Sequence, residues 1–260
     1  MKKTVNDFIV VKNLSLAYDG RPIVRDANFT INRGDIFVIM GMSGSGKSTI
    51  MRSMIGLLRP VRGHIFIDGT DMWAMDADTR TEIVGRFGIT FQSGALFSSM
   101  TVGENVALPM ELKTELSPQE ISARVREKLK IVGLDGCENL YPSQISGGMI
   151  KRAALARALI NEPSILFFDE PSAGLDPVRS AELDKLILNI NNRLGTTIVM
   201  VTHELPTIMT IATNGIYLDA STRTITAAGA PDKILKTTKN PQILEFLTRG
   251  QRGNKNETTK

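Results

Sequence analysis

The sequence predicts an α/β protein with a parallel core sheet, an antiparallel β portion and a helical portion. Three observations predict it. Short apolar runs at Ile36–Met40, Ile165–Phe168 and Thr197–Val201 read as buried strands. Each gives way to glycine or polar residues beside the start of a helical stretch, the arrangement that places a site at the carboxyl ends of parallel strands. Residues from about 93 to 160 show helical spacing with no strand-like run between them.

The elements follow in order. Phe8–Leu14 and Ile23–Ile31 read as antiparallel strands, and Ile36–Met40 as a buried one. Lys47–Leu57 has helical spacing through Ile50, Met54 and Leu57, closed by Arg59-Pro60 and Arg62-Gly63. His64–Ile67 is a short strand ending at Asp68-Gly69. Ser117–Val132 is a helix with Ser117 as its cap, Pro118 in its first turn, and Ile121, Val125, Leu129 and Val132 on one face. Gly147–Ile160 is a second helix, rich in alanine and leucine. Ala181–Leu194 is helical, Ile216–Ala228 reads as a hairpin, and Pro231–Thr248 as one or two short helices beyond the core.

Composition narrows the function classes. The chain has 260 residues, 42% hydrophobic and 22% charged, which suits a globular protein able to bury a sizeable core. One cysteine, Cys137, excludes a disulfide framework and a cysteine-based zinc cluster, and the two histidines leave little for a metal site. The net charge of +4 resides in the ends: Arg249, Arg252, Lys255 and Lys260 against Glu257, and Lys2 and Lys3 against Asp7. The body carries no excess that would favour nucleic acid. No apolar run approaches the ~18–20 residues of a membrane span, and Phe8–Val11 is too short for a signal-peptide core. The expected location is the cytoplasm.

Gly41-Met42-Ser43-Gly44-Ser45-Gly46-Lys47-Ser48, followed by Thr49, fits G-x-x-x-x-G-K-[ST] between a strand and a helix. Glycines let the backbone curl so that successive N–H groups face phosphate oxygens, and the helix start adds partial positive charge. Lys47 is expected to reach the β- and γ-phosphates and Ser48 to ligate Mg²⁺. The run Ile165–Phe168 delivers Asp169 and Glu170. Asp169 is expected to hold Mg²⁺ through water, and Glu170 to orient and polarise an attacking water as general base.

Ser146-Gly147-Gly148, then Asp169-Glu170-Pro171, Gly174-Leu175-Asp176 and His203 give the chain a marked likeness. Over residues 8–230 it resembles the nucleotide-binding subunit of an ATP-binding-cassette (ABC) transporter, of the P-loop NTPase fold. The resemblance implies ATP and Mg²⁺ as ligands and hydrolysis of ATP coupled to transport. It implies that Tyr18 stacks on adenine, and that Gln92 contacts Mg²⁺ and the lytic water. Ser146, Gly147 and Gly148 then contact the γ-phosphate held by a second copy in a head-to-tail homodimer. Asp176 lies in the loop linking the two sites, and His203 contacts the γ-phosphate and supports Glu170. The signature departs from the usual pattern at Ile145 and Met149, so a role for a glutamine there is in doubt. His64 matches nothing in the pattern.

The run Phe91–Ala107, with Ser-Gly-Gly-Met at 146–149, resembles the ATPase of the Mla-type systems. That implies a transmembrane permease, an MCE-domain protein, a STAS-domain protein, and phospholipid or another hydrophobic molecule moved across a bacterial envelope. The chain would then sit on the cytoplasmic face of the inner membrane. Phe97, Met100 and Leu108 are candidates for the groove that grips the permease. The alternatives are the ATPase of a small-solute importer and a non-transport relative acting on nucleic acid or ribosomes. The expected organisation is an ATP-binding domain over 1–248, with a helical subdomain at about 93–160 and an extension at about 231–248. A basic, disordered tail is expected at 249–260.

Overall fold

The computed structural model describes residues 7–252, with side chains for 7–248. Lys2, Lys3 and the tail from residue 253 lie outside the described residues. The chain divides into two compact units, one made of the residues up to Val84 with those from Thr197 onward, the other Gly85–Thr196.

In chain order the elements of the first segment are β1 (Asp7–Tyr18), β2 (Arg21–Asn32), β3 (Ile36–Met40), α1 (Lys47–Met54), β4 (Arg62–Ile67), β5 (Thr70–Asp71) and α2 (Ala77–Val84). The second unit holds β6 (Phe87–Thr90), α3 (Val102–Glu111), α4 (Pro118–Ile131), α5 (Gly147–Leu159), β7 (Ile165–Asp169) and α6 (Pro177–Leu194). The chain then returns to the first unit with β8 (Thr197–Val201), α7 (Leu205–Ile211), β9 (Asn214–Asp219), β10 (Thr224–Ala228), α8 (Pro231–Thr237) and α9 (Pro241–Arg252).

In the first unit β1 pairs antiparallel with β2 and β4, giving the order β2-β1-β4-β5. Ile9 and Val11 are buried, as are Leu14 and Leu16, so the inward phase changes between them. The register shift between Val11 and Leu14 and the left-handed Asn13 (φ 48) are a bulge that makes this change. The bulge carries the strand on to Tyr18, four residues past the end that alternation alone predicts. Asp19 and Gly20 (φ 47 and 75) then form the two-residue turn that matches strand twist.

The same unit contains β3, parallel to both β8 and β9, with β10 antiparallel to β9. Every residue of β3 and β8 is buried, which explains their continuous apolar runs. Helix α1 stops at Met54 rather than Leu57. Gly56 turns left-handed (φ 83), the N–H of Leu57 bonds back to Arg52 O at 2.8 Å, and Leu57 is exposed. The extension is two helices that pack against α7 and each other. Ile243, Phe246 and Leu247 of α9 are buried, and Phe246 meets Tyr217 of β9 edge-on at 5.3 Å. The helix runs to Arg252, so the first four residues of the expected disordered tail are helical backbone.

In the second unit β6 and β7 run parallel. The described elements between residues 93 and 160 are α3, α4, α5 and a short 3-10 turn at Pro142–Gln144. Ser117 caps α4 as expected, in a reciprocal capping box with Glu120, and Thr101 and Glu104 do the same for α3. Helix α5 packs on α3, α4 and β6 with Ala153, Ala154, Leu155, Ala156 and Leu159 buried. Helix α6 begins at Pro177, four residues before the expected start, because Asp176 caps it and Pro177 suits a first helical position.

Candidate active site

In the first unit the end of β3 delivers the glycine-rich loop. A Cβ on Gly41 (φ 148) would lie 2.4 Å from the backbone oxygen of Leu218, so no other residue fits there. Gly46 (φ 104) stands at the N-cap of α1, and no side chain caps the helix. This is the end of the helix where anions are favoured. Lys47 is buried and its Nζ donates to Gly41 O and Met42 O, each at 3.0 Å, across the mouth of the loop. Ser43 and Gly44 are exposed, Ser45 is buried with an Oγ that finds no acceptor or donor, and Ser48 and Thr49 are half-buried. A buried hydroxyl left unsatisfied in a cradle of backbone N–H groups fits a polyphosphate.

Tyr18 ends β1 with its ring 38% exposed, and its Oη accepts from Arg52 of α1 at 3.3 Å. It therefore stands beside the helix that starts at the loop, partly open to solvent. His203 follows β8. Ile39 of β3 pairs with Val201, so Gly41 and His203 leave neighbouring strand ends. His203 is exposed, and Thr202 Oγ1 accepts from the N–H of Glu204 at 3.1 Å, turning the chain there.

In the second unit Thr90 of β6 pairs with Phe168 of β7. Gln92 and the Asp169-Glu170 pair thus leave adjacent strand ends. Gln92 is exposed, and Asp169 and Glu170 are half-buried, with Glu170 Oε2 sealed from solvent. Glu170 has φ 50, a left-handed backbone that is uncommon outside Gly, Asn and Asp.

Ser146 caps α5, its Oγ accepting from the N–H of Met149 at 3.3 Å. Gly147 is exposed and a Cβ there would meet nothing within 4 Å, while one on Gly148 would make only ordinary contacts at 3.7 and 3.8 Å. A cavity of about 510 Å³ opens at this helix start, lined among others by Ser146, Gly148, Met149, Arg152 and Arg179. Asp176 caps α6 by accepting from the N–H groups of Arg179 (3.0 Å) and Val178 (3.1 Å). The Arg179 N–H is the main cause holding its carboxyl below the usual value. His64 is exposed and faces Asp71, Nδ1 to Oδ2 2.7 Å.

Three positions that sequence reasoning passed over organise these loops. Asn105 is fully buried; its Oδ1 accepts from Phe97 N, and its Nδ2 donates to the carbonyls of Phe97, Met100 and Thr101. Arg157 donates to Gly94 O and Ala95 O, just after Gln92. Lys151 donates to Pro171 O and Ala173 O, just after Glu170. Lys151 and Arg157, two of the three cations on an otherwise Ala/Leu-rich helix, were the available signal.

A family model described as ABC transporter matches residues 24–173. This chain belongs to the ABC transporter family. It is an ATPase of that family, hydrolysing ATP in coupling with transport, on an α/β P-loop fold. Among ABC relatives, it is 43% identical over 239 residues to a protein of Mycobacterium leprae described as probable ribonucleotide transport ATP-binding protein mkl, covering 92% of this chain and 68% of that one. It is 38% identical over 247 residues to the intermembrane phospholipid transport system ATP-binding protein MlaF of Escherichia coli, covering 95% of this chain and 91% of that one. A solved dimer of the cassette MJ0796 in a post-hydrolysis state with ADP and Pi superposes with a TM-score of 0.78 at 32% identity, over 85% of this chain and 98% of that one.

The donors expected for Mg²⁺, Ser48, Gln92 and Asp169, all offer oxygen, as a hard cation requires. Among the described residues no three His, Cys, Asp or Glu side chains come together. The oxygen donor set fits Mg²⁺, which is usually held by one or two side chains together with phosphates and water.

Proposed function

We propose that this ABC ATPase powers a permease that moves phospholipid or another hydrophobic molecule across a bacterial envelope. The observation that carries the nucleotide chemistry is the loop Gly41–Ser48, wound by glycines onto an uncapped helix start with Lys47 turned across it. The substrate class is supported by the E. coli relative and by the run Phe91–Ala107 with Met149 in the signature.

In this reading Tyr18 stacks on the base, and the loop from Gly41 through Ser43, Gly44, Ser45 and Gly46 to Thr49 cradles the phosphates. Lys47 neutralises the charge that grows on them. Ser48, Gln92 and Asp169 would hold Mg²⁺, which would offset that charge when bound. Glu170 orients the attacking water and takes its proton, with His203 and Gln92 fixing its place. The work is positioning and electrostatics, with no covalent intermediate.

Ser146, Gly147 and Gly148 serve the nucleotide of a second copy in a homodimer. The support is steric: among the described residues nothing lies within 4 Å of a Cβ on Gly147, which leaves room over the helix start for an outside group. The exposed Phe97 and the half-buried Met100, whose backbones Asn105 holds, and the half-buried Leu108 suit a permease groove. An MCE-domain and a STAS-domain protein are the further partners. No helix of the described residues is long and apolar enough to cross a membrane, so placement at the cytoplasmic face of the inner membrane would come through the permease. The domain reading is one ATP-binding domain over 1–248 with its helical part at about 93–160.

The test is affinity purification of the chain from detergent-solubilised membranes of its own cell, with proteins and co-purifying lipid identified by mass spectrometry. A permease with an MCE-domain protein and bound phospholipid supports the reading. A permease with a soluble solute-binding protein replaces the substrate class. Ribosomes or DNA-repair proteins without any membrane chain overturn transport. Separately, Glu170→Gln should lower turnover by about 10²–10⁴-fold while ATP binding persists.

A further inference from the structure

Helix α5 begins at the signature and carries Lys151 five residues after Ser146, about 7.5 Å along the axis. Lys151 Nζ donates to Pro171 O at 2.7 Å and to Ala173 O at 2.5 Å. These carbonyls belong to the turn that follows Glu170, closed by the N–H of Ala173 donating to Glu170 O at 3.2 Å. Glu170 sits at φ 50. A left-handed backbone at a residue without an Asx side chain persists only where its surroundings over-determine it. The closing turn supplies one constraint. The bidentate grip of Lys151 on both flanking carbonyls supplies two more.

We infer that Lys151 is the positioning residue of the catalytic turn: it holds Glu170 in its left-handed conformation and ties that turn to the signature helix. The inference rests on the reading of Glu170 as the group that orients water. Burial pushes the Lys151 amine below its ordinary range, while the Glu170 charge acts in the opposite sense, so the two side chains sense each other electrostatically. An ammonium suits the task because its three donors can serve two carbonyls at once. A helix is stiff over two turns, so a displacement at Ser146 reaches the Glu170 turn through one side chain. The signature thereby affects hydrolysis in its own chain as well as contacting the nucleotide of the other.

The test compares Lys151→Met, which keeps the stem and removes the donors, with Lys151→Arg, which keeps a cation with several donors. Both are made in the full chain, in complex with its membrane partners. Lys151→Met should lower kcat about tenfold to a hundredfold, the scale of a misplacement near 1 Å. KM for ATP and binding of a fluorescent ATP analogue should stay within about twofold, which separates lost positioning from lost binding. Lys151→Arg should recover most of kcat. An unchanged kcat in Lys151→Met overturns the inference, and so does an equal loss of kcat and of nucleotide binding in both variants. Should Lys151→Met not fold, Lys151→Gln, with one donor group, should fall between wild type and the loss stated, and full activity there overturns it equally. Glu170→Gln distinguishes the two failures. If Glu170→Gln turns over like wild type, the role of Glu170 is wrong. If it is inactive while Lys151→Met is fully active, only the Lys151 inference is wrong.

Discussion

Gly147→Ala separates what the fold needs from what the chemistry needs. Gly147 has no positive φ, it is exposed, and a Cβ would meet nothing within 4 Å. As the first residue of α5 it should accept alanine with a gain of up to about 1 kcal/mol from helix propensity. For a chain of this size that raises Tm by no more than about 2–4 °C. If the open space admits the γ-phosphate of a second copy, the methyl group displaces it from the N–H groups of the helix start. Losing such donors costs roughly 10²–10³ in turnover, about 2.7–4 kcal/mol. Gly41→Ala is the control of opposite sign. Its methyl would lie 2.4 Å from Leu218 O and 2.8 Å from Ser45 Oγ at φ 148. Backbone strain of about 1–3 kcal/mol and overpacking of about 1–3 kcal/mol should both appear as lost stability. Thermal unfolding and steady-state ATPase assays on the same preparations give both readings. A Gly147→Ala protein that unfolds normally and hydrolyses ATP at the wild-type rate would refute the idea that this glycine makes room for a phosphate. One that unfolds several degrees lower would refute the claim that the fold does not need it.

Removing the ammonium in Lys47→Ala should weaken nucleotide affinity by about 10- to 150-fold, the range of a hydrogen bond to a charged group; a titration with a fluorescent nucleotide that shows no change would sink the cradle assignment. Thr101→Ala dismantles the capping box of α3 and should cost about 1 kcal/mol, read as a Tm lower by about 2–4 °C with nucleotide affinity unaltered. Acid should destabilise the protein partly through Asp176 and Asp219. Both carboxyls are held below their usual value in the fold, Asp176 chiefly by the Arg179 N–H and Asp219 chiefly by the Ser221 hydroxyl. Their stabilisation is complete above the ordinary carboxylate value and is lost as pH falls through the lowered one, so Tm should decline below about pH 4. Asp176→Asn should flatten that decline, and an identical acid profile in the variant would remove Asp176 from the account.

The core was legible because its strands are buried on both faces. Ile36–Met40 and Thr197–Val201 are each flanked by other elements, so their apolar runs end where the strands end. The glycine loop was legible because its conformation demands its residues. What escaped had no apolar periodicity to mark it. Helix α2 buries no residue, so no periodicity marks it. The last strand turn of β1 is hidden by a bulge that reverses its alternation. The start of α6 is marked by a cap and a proline rather than by apolar spacing. Lys151, Arg157 and Asn105 act on carbonyls 4 to 63 positions away, with only the Asn105 partners close in sequence. A charged or amide side chain looks alike in sequence whether it points to water or to a buried carbonyl. By contrast, a strand end with Asp-Glu could be weighed only because a phosphate loop stood elsewhere in the same chain.

Two of the backbone segments with positive φ are held by cations of one helix. The non-glycine residues with positive φ include Asn13, Asp19, Asp26 and Asp68, of the two residue types that visit this region most readily. Ala95 and Glu170 are not of those types. Each is flanked instead by carbonyls gripped from α5: Arg157 donates to Gly94 O at 2.9 Å and Ala95 O at 2.8 Å, and Lys151 to Pro171 O and Ala173 O. Burial pushes both cations below their ordinary values, so holding them against the core is unfavourable in itself. Leucine or methionine would fill the same volume more cheaply if packing were the only requirement. The cations accomplish what apolar side chains cannot, fixing two strained loops, one leaving Gln92 and one leaving Glu170, to a single helix that starts at the signature. Loops mounted on separate elements would each need their own trigger. Mounted on one helix, they share it.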